Sequence, residues 1–498
     1  MPFDQKIPDP PRGGFPGLEG FEQWEAVVAG VERQVSQLTQ LPYQPAVRHQ
    51  MLRVLQDRRA PEPPRPEPSA AAGEQDDVQR SGADLVTQFD YLPVRVGYDT
   101  LFARGELLIT RRSYDGQGPD TSAQGGGGTA KAYLDALHIR AVPVDCPELA
   151  DRILRLYRPG HDLGPKELSD LAQSLRAQGY SASLTNISCT AGVHKAPPLD
   201  PGPNQPAPNV HALLRRAAAE GPMTAGTPAK VAIIDTGIDR QRLPNVAGEP
   251  DLMHQFPLGE SPAQRAQYLD FDAGHGTFVA GIVLQIAPDA DITVYRAVDS
   301  DGIGSEVRVA CKMIEAVNDG NQIINLSLSC QTQDDFPPIA IHAALEAIKA
   351  KEIKDETPES GRPLFIAAAG NFANTRPSWP AAFPGVVSVA GLAPGLQPSL
   401  WSSRGFWVDC STIGEGILST YVPGQESPLI TSTPYVFQGP DPWALWTGTS
   451  FAAPQIAGVL AQAYQASGIH PRAALSALLA TGRPIPDFGQ AVRILPGV

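Results

Sequence analysis

Residues 231–236 read VAIIDT, an apolar run that ends on an aspartate and a threonine. The apolar residues do not alternate with polar ones, so both faces of the predicted strand are expected to be buried. Similar segments recur downstream as ITVYRAV, IINLSLS, LFIAAA and VVSVAGL, and predicted helices such as GTFVAGIVLQIA and EVRVACKMIEAVNDG lie between several of them. Such strands alternating with helices predict an α/β domain, a parallel sheet covered by helices on both faces.

Clusters of proline divide the 498-residue chain into blocks. Two proline-rich stretches, RAPEPPRPEPSAAAGEQDD and KAPPLDPGPNQPAPN, cannot form packed elements and predict linkers. The predicted organisation is a helical hairpin segment over residues 1–58, a linker over 59–84, a small α+β domain over 85–190, a second linker over 191–228, and the α/β domain over 229–498.

The first block carries apolar residues at steps of three and four between Phe21 and Leu38, which places them on one helical face. A second short helix is predicted over residues 47–55. The repeat is shorter than a coiled coil requires, so a hairpin packed on its own protein is favoured over a docking site for a partner protein. Both interpretations stay open.

The middle block predicts the order βαββαβ, with strands ELLITRR, IRAVPV, RILRLY and YSASLTNI and helices TAKAYLDALH and KELSDLAQSLRAQG. This order is typical of a small ferredoxin-like, or split-βαβ, sandwich.

The composition excludes several classes of function. A net charge of -14 argues against nucleic acid or an anionic membrane as the main partner. The N-terminal sequence MPFDQKIPDPPRGGF has no basic start followed by an apolar core, so we expect a cytoplasmic protein without a secretory signal. The 5 cysteines are widely spaced and include no C-x-x-C pair, which favours reduced thiols over a disulfide framework or a zinc site.

Three acid–base candidates follow strands or open helices of the α/β domain. Asp235 ends the strand VAIID, His275 lies in DAGHGTFVAG, and Ser450 lies in GTSFAAPQIAG. Taken singly, each is more simply a helix cap or a turn residue. Taken together, Asp, His and Ser in this chain order are one known arrangement of the acyl-transfer triad.

Four segments, VAIIDTGID, GHGTFVAG, FIAAAGN and GTSFAAPQIAG, resemble the signature motifs of the subtilisin-like serine proteases in family order. The resemblance covers over half the chain. It implies that Ser450 is the nucleophile, that His275 is its general base, and that Asp235 orients the imidazole. It also implies that Asn371 donates a hydrogen bond in the oxyanion hole.

The resemblance further implies an extended peptide held between two strands by main-chain hydrogen bonds. The segment DGIGS resembles the edge strand, and NLSLS resembles the opposite strand. The expected substrate-binding residues are Gly302, Gly304, Ser305, Leu326, Ser327, Leu328, Ala368 and Gly370.

The chain also departs from the family pattern. Phe278 stands where the family usually has histidine, and the helix after His275 leaves no room for the loop of the best-known calcium site. We therefore expect neither a metal nor a cofactor. Trp443 and Trp446, close to Ser450, are interpreted equally as cleft residues or as core residues. By topology alone, the middle block resembles the propeptides that many members of the family carry, and self-cleavage is expected in the proline-rich stretch after it.

The sequence thus predicts a serine endopeptidase with restricted protein or peptide substrates and N-terminal regulation. Two alternatives stay open: a non-catalytic scaffold that binds peptides, and an enzyme held silent until a partner binds the N-terminal helical segment.

Overall fold

The computed structural model describes residues 89–95, 98–117, 129–160, 163–190, 193–196, 227–254, 268–358, 361–426, 435–439 and 442–495. The helical hairpin expected over residues 1–58 and the linker over 59–84 lie outside the described residues. Within the described ranges, no helix combines the length and apolar character needed to cross a bilayer.

The strands are numbered in chain order. The N-terminal part contains β1 (Phe89–Arg95), β2 (Tyr98–Thr110), β3 (Arg140–Pro143), β4 (Ile153–Tyr157), β5 (Ala182–Thr190) and β6 (Val193–Ala196). The rest contains β7 (Lys230–Asp235), β8 (Ala247–Gly248), β9 (Tyr268–Leu269), β10 (Asp291–Arg296), β11 (Ile303–Ser305), β12 (Ile323–Leu326), β13 (Leu328–Ser329), β14 (Leu364–Ala368), β15 (Val386–Ala393), β16 (Gln397–Pro398), β17 (Cys410–Ile413), β18 (Ile417–Thr420), β19 (Gly424–Glu426), β20 (Val436–Phe437), β21 (Trp443–Thr447), β22 (Arg483–Ile485) and β23 (Gly489–Ala491).

The helices belong to the same two parts of the chain. They are α1 (Arg111–Asp115), α2 (Lys131–Ala136), α3 (Pro165–Ala177), α4 (His275–Ile286), α5 (Glu306–Asn318), α6 (Ile339–Lys354), α7 (Ala453–Ser467) and α8 (Pro471–Ala480).

The central sheet has the strand order β22-β23-β17-β15-β14-β12-β7-β10-β8, and β16 pairs with β15. Its pairings from β23 through β8 are parallel, and only the short β22 and β16 are antiparallel. The recurring apolar segments of the sequence form β7, β10, β12, β14 and β15 at its centre. The predicted parallel α/β domain is therefore confirmed.

Both faces of this sheet are buried, which explains the lack of alternation in VAIIDT. Val231 and Ile233 of β7 pack into one core with α4 and α7. Ala232 and Ile234 of the same strand pack into a second core with α5 and α6. Successive side chains of a strand point to opposite faces, so each face needs its own apolar residues.

The small N-terminal sheet places its strands in the order β5-β2-β4-β3, with β1 beside β2. The described elements follow the order two strands, two helices, two strands, helix, strand, so β1 and the short α1 are additions to the predicted order. Helix α3 packs its apolar residues into the core of this sheet. Part of the stretch predicted to be a linker forms strand β6, which pairs with β21 of the α/β domain.

The two parts of the chain share a core and a covalent bond. Leu108, Leu149 and other residues of the N-terminal part pack into the core around α5 and α6. Cys146 forms a disulfide with Cys311 of α5, with Cα atoms 5.8 Å apart and a sequence separation of 165. The expectation of reduced thiols was therefore wrong for this pair. Cysteine spacing could not reveal it, because the partners belong to different parts of the fold.

The other cysteines of the described residues, Cys189, Cys330 and Cys410, are buried thiols. Glu148 lies beside the disulfide, with its Oε2 3.6 Å from the Cys146 sulfur. This trio is the one cluster of metal-ligand side chains within the described ranges. Its two sulfurs are bonded to each other and are not thiolate ligands.

Candidate active site

Asp235 and His275 meet at the carboxyl end of the central sheet. Asp235 ends β7, and His275 opens α4 after Gly274, whose φ of 79° suits glycine. A Cβ on Gly274 would also press against the side chains of Val422 and Tyr421. Only glycine therefore lets α4 begin this close to those two side chains. His275 Nδ1 and Asp235 Oδ1 are 2.7 Å apart, and both side chains are fully buried. This hydrogen bond fixes the orientation of the imidazole ring.

The surroundings of His275 change its basicity. Burial is the largest influence and lowers the pKa of His275. The charge of Asp235, its hydrogen bond and the charge of Asp272 outweigh burial, so the pKa is raised above its ordinary value. Burial in turn raises the pKa of the neighbouring Asp272 to about 6. A carboxylate that raises the pKa of a buried histidine strengthens it as a proton acceptor.

Ser450 lies in the 3-10 turn Thr449–Phe451, directly before α7. Its hydroxyl donates to the carbonyl oxygen of Ser327 at 2.8 Å, and the Ser327 hydroxyl donates to the carbonyl oxygen of Ser450 at 2.8 Å. His275 Nε2 is buried and has no hydrogen-bond partner among the described residues. In this state the serine hydroxyl is bonded to the backbone and the histidine nitrogen is left without a donor.

Asn371 follows β14 and is held by the residue before Ser450. Its side-chain oxygen accepts hydrogen bonds from the backbone N–H of Thr449 at 3.1 Å and from the Thr449 hydroxyl at 3.0 Å. The backbone N–H of Gly370 donates to the same hydroxyl at 3.0 Å. These bonds fix the acceptor end of the Asn371 amide, so the amide group has a defined orientation next to the serine turn.

A cluster of aromatic rings supports the histidine. The His275 ring lies edge-on to Trp446 at a centroid distance of 5.2 Å and 5.4 Å from Phe451. Phe278, one turn further along α4, packs against both Trp446 and Phe451. Phe278, which stands where the family usually has histidine, therefore belongs to the aromatic cluster that packs against the His275 ring. Trp446 belongs to the core and also touches the site.

Strand β5 of the N-terminal part lies between the two strands expected to hold a substrate. It pairs antiparallel with β11, where Gly304 lies opposite Ser188, and antiparallel with β13, where Leu328 lies opposite Thr190. The Thr190 N–H donates to the carbonyl oxygen of Gly302 at 2.9 Å. An extended segment of the chain itself thus lies between β11 and β13 and pairs with both.

Gly302 is essential to this close approach. Its φ is 77°, and a Cβ at this position would collide with the side chains of Thr190 and Asp272, which hydrogen-bond to each other. Of the other expected substrate-binding residues, Gly304, Ser305 and Leu328 pair with β5, and Ser327 contacts Ser450 instead.

Three expected substrate-binding residues have other surroundings. Leu326 packs into the core around α5 and α6. Ala368 ends β14 in the core on the opposite face, and Gly370 hydrogen-bonds to Thr449 and to Ser403. The sequence places them at strand ends, but only the packing decides which of them faces the cleft.

Sequence reasoning did not single out Glu306, which anchors β5. Glu306 is fully buried at the start of α5 and accepts hydrogen bonds from the backbone and side-chain amides of Asn186 at 2.7 and 2.8 Å. It also accepts from the backbone N–H of Ala340 at 2.9 Å. A glutamate in the first turn of a helix is an ordinary pattern, so no sequence signal distinguished it.

The chain agrees with known proteins over the α/β domain. The family model of the subtilase family matches residues 226–483. Thermitase of Thermoactinomyces vulgaris is 30% identical over 244 residues, which cover 47% of this chain and 74% of thermitase. Subtilisin BL of Lederbergia lenta is 27% identical over 257 residues, which cover 50% of this chain and 80% of that protein.

A solved structure of fervidolysin from Fervidobacterium pennivorans aligns with a TM-score of 0.49 and 21% identity, covering 79% of this chain and 60% of the other. The family match extends over half of the chain and includes the strand and helix ends that carry Asp235, His275, Asn371 and Ser450. The chain belongs to the subtilase family and is a serine endopeptidase.

Proposed function

We propose that Ser450, His275 and Asp235 form the catalytic triad of this endopeptidase. The observation that carries the proposal is the 2.7 Å bond between His275 Nδ1 and Asp235, which leaves Nε2 as the nitrogen that takes a proton. Rotation of the Ser450 side chain away from the Ser327 carbonyl and toward His275 Nε2 completes the triad. The serine oxygen then attacks the peptide carbonyl while His275 accepts its proton and later gives that proton to the leaving amine.

A fluorophosphonate probe tests this assignment, because it forms an adduct only with an activated serine. We expect one adduct, located on Ser450, in protein that has cleaved its own chain and whose Cys146–Cys311 disulfide has been reduced. Adduct formation that persists in Ser450→Ala would contradict the assignment. Complete absence of adduct from the wild type would instead favour the non-catalytic scaffold.

We propose that Asn371 donates from its side-chain NH2 group to the oxyanion, together with the backbone N–H of Ser450. Replacing it in Asn371→Leu is expected to lower kcat by about a hundred- to a thousandfold, with little change in KM. The two hydrogen bonds from Thr449 support the proposal, because they hold the amide in one orientation. Steady-state kinetics on a peptide substrate measures the effect, and an equally large rise in KM with unchanged kcat would contradict it.

The raised pKa of His275 predicts the pH dependence of the reaction. Catalysis needs the neutral imidazole, so activity should fall as the pH drops through a value above the ordinary histidine pKa of about 6.5. Removing the charge of Asp235 in Asp235→Asn should move this acid limb of kcat/KM to lower pH and reduce its plateau by about ten-thousandfold. A limb that stays in place in Asp235→Asn would show that another group controls it.

We propose that the N-terminal domain, residues 85–190, regulates the enzyme by keeping β5 in the substrate cleft, as a propeptide does. The pairing of β5 with both β11 and β13 supports this, and so does the buried anchor from Glu306 to Asn186. A chain held in this way has restricted access for substrates. The boundaries of the linker over 191–228 and of the catalytic domain over 229–498 stay predictions.

We propose further that the enzyme cleaves its own chain where β5 passes into β6. Thr190 lies opposite Leu328, one residue from the Ser327 carbonyl that contacts Ser450, and Val193 lies opposite Thr447. The scissile bond should therefore fall between Thr190 and Val193. This is upstream of the proline-rich stretch KAPPLDPGPNQPAPN, where self-cleavage was expected from the sequence.

The Cys146–Cys311 disulfide adds a second level of control. It joins the N-terminal domain to α5, so the domain stays attached after the chain is cut. Such bonds persist in oxidising compartments and are reduced in the cytoplasm. The cytoplasmic location expected from the sequence stays a prediction, and in that compartment the two cysteines would be thiols. A partner at the N-terminal helical segment also stays a prediction.

A further inference from the structure

Strand β6 carries a buried lysine into the region beyond Ser450. Lys195 is 5% exposed, and in the pairing of β6 with β21 it lies opposite Trp446. Its ammonium group donates to the carbonyl oxygen of Phe271 at 2.6 Å. The nitrogen also lies 4.9 Å from the ring centroid of Trp446 and 5.3 Å from that of Tyr421, so two aromatic faces cover it.

Buried carboxylates act electrostatically on the same ammonium group. Burial lowers the pKa of Lys195, while the charges of Glu426, Asp272, Asp251 and Asp270 act against it, in that order of size. Glu426 is 5% exposed, and it accepts a hydrogen bond from the backbone N–H of Tyr435 at 3.3 Å. The pocket therefore combines negative charge, aromatic faces and a carbonyl acceptor, which together suit an organic cation.

The pocket follows β5 in the order of the chain. The next described strand is β6, which pairs with β21, the strand that leads to the turn carrying Ser450. Trp446 links the pocket to the triad, because its ring touches both the Lys195 ammonium and the His275 ring. A side chain seated like Lys195 thus belongs to the C-terminal side of the scissile bond.

We propose that the surroundings of Lys195 are a substrate subsite, called here the Lys195 pocket. It would bind a lysine or arginine side chain of the substrate on the C-terminal side of the cleaved bond. Its lining residues are Phe271, Asp272, Tyr421, Glu426 and Trp446. The inference rests on the proposed function, since it takes the path of β5 and β6 as the path of a substrate. Lys195 itself is the first occupant, and the substrate's cation replaces it when β6 leaves.

Charge makes the pocket selective. When Lys195 leaves, the carboxylates of Asp272 and Glu426 lose the cation whose charge acts on them in a buried setting. A buried carboxylate that loses a nearby positive charge is less stable in its charged form. A cationic side chain restores that charge, whereas beside a neutral chain of the same length the carboxylates either stay charged without it or take up a proton.

Peptides that match residues 186–198, with Cys189→Ser, test the subsite on full-length chain that has processed itself and been reduced. The first peptide keeps lysine at position 195, the second has norleucine there, and the third has lysine moved to position 194. We expect kcat/KM for the first to exceed that for the second by about tenfold or more. The third should behave like the second, because neighbouring residues of a strand point to opposite faces.

Glu426→Gln should reduce the preference for lysine to within about threefold of unity. The exposed carboxylate at the end of α6 offers a matched control, and Asp355→Asn should keep the full preference. Residual binding of the chain's own Lys195 lowers the rates for all three peptides by the same factor. The ratios of kcat/KM between peptides therefore measure the selectivity of the Lys195 pocket.

Equal rates for the first and second peptides in the wild type would overturn the subsite and leave the proposed function intact. A preference unchanged in Glu426→Gln would also overturn it. No cleavage of any peptide, together with no fluorophosphonate adduct, would overturn the proposed function and the subsite with it.

Discussion

Ser450→Ala is expected to lower kcat for peptide hydrolysis by about a millionfold, the loss seen when a triad nucleophile is removed. Ser450 is fully buried directly before α7, and His275 Nε2 has no hydrogen-bond partner among the described residues. Without the hydroxyl, the histidine has no nucleophile to activate. Hydrolysis of an internally quenched peptide by processed, reduced chain gives the reference rate.

A control serine separates this effect from a general loss of structure. Ser476 is exposed on α8 and its hydroxyl donates to the Arg472 carbonyl of the same helix. Ser476→Ala should keep the wild-type rate, and both variants should unfold at the wild-type temperature. A loss in Ser450→Ala of less than about a hundredfold would mean that another group performs the attack.

Reduction of the Cys146–Cys311 disulfide in self-processed chain is expected to raise activity by up to about a thousandfold at micromolar protein. A tethered domain faces the cleft at an effective concentration of about 1 mM, which is about a thousand times that of a released domain at 1 µM. Dilution makes the test sharper. Specific activity of the oxidised chain should not depend on protein concentration, whereas that of the reduced chain should rise as the protein is diluted.

Cys311→Ser provides the matched control for the disulfide. This variant should be active without reductant and should not respond to it, because Cys146 then has no partner sulfur. If the oxidised wild type gains activity on dilution, the disulfide does not hold the domain in the cleft. If the reduced chain stays silent at any dilution, the shared core and the Glu306 anchor alone keep β5 in place.

The sequence predicts the catalytic-type residues because each of them is part of a local motif. Asp235 ends a strand buried on both faces, and His275 and Ser450 open helices whose apolar residues recur along the chain. The central strands follow for the same reason, since burial on both faces removes alternation. Glycine at positions such as Gly274 is part of these motifs because the backbone there adopts a positive φ.

The features proposed to control access to the site depend on contacts between residues that are distant in sequence. Cys146 and Cys311 are separated by 165 residues, so their spacing carries no signal of pairing. Strand β5 looks like the last strand of a small sheet, and only the assembled fold shows that it also pairs with β11 and β13. Lys195 stands in a proline-rich stretch, where a lysine ordinarily indicates a solvated segment.

Self-cleavage between Thr190 and Val193 would show that Ser450 acts on the segment of its own chain that pairs with β11 and β13. The measurement is the intact mass of full-length wild type and of Ser450→Ala, each before and after reduction. We predict that oxidised wild type gains the mass of one water and separates on reduction into two pieces that meet between Thr190 and Val193, while Ser450→Ala stays one uncut chain. An uncut wild type, or the same cut in Ser450→Ala, would contradict the claim that Ser450 acts on the segment lying in its own cleft.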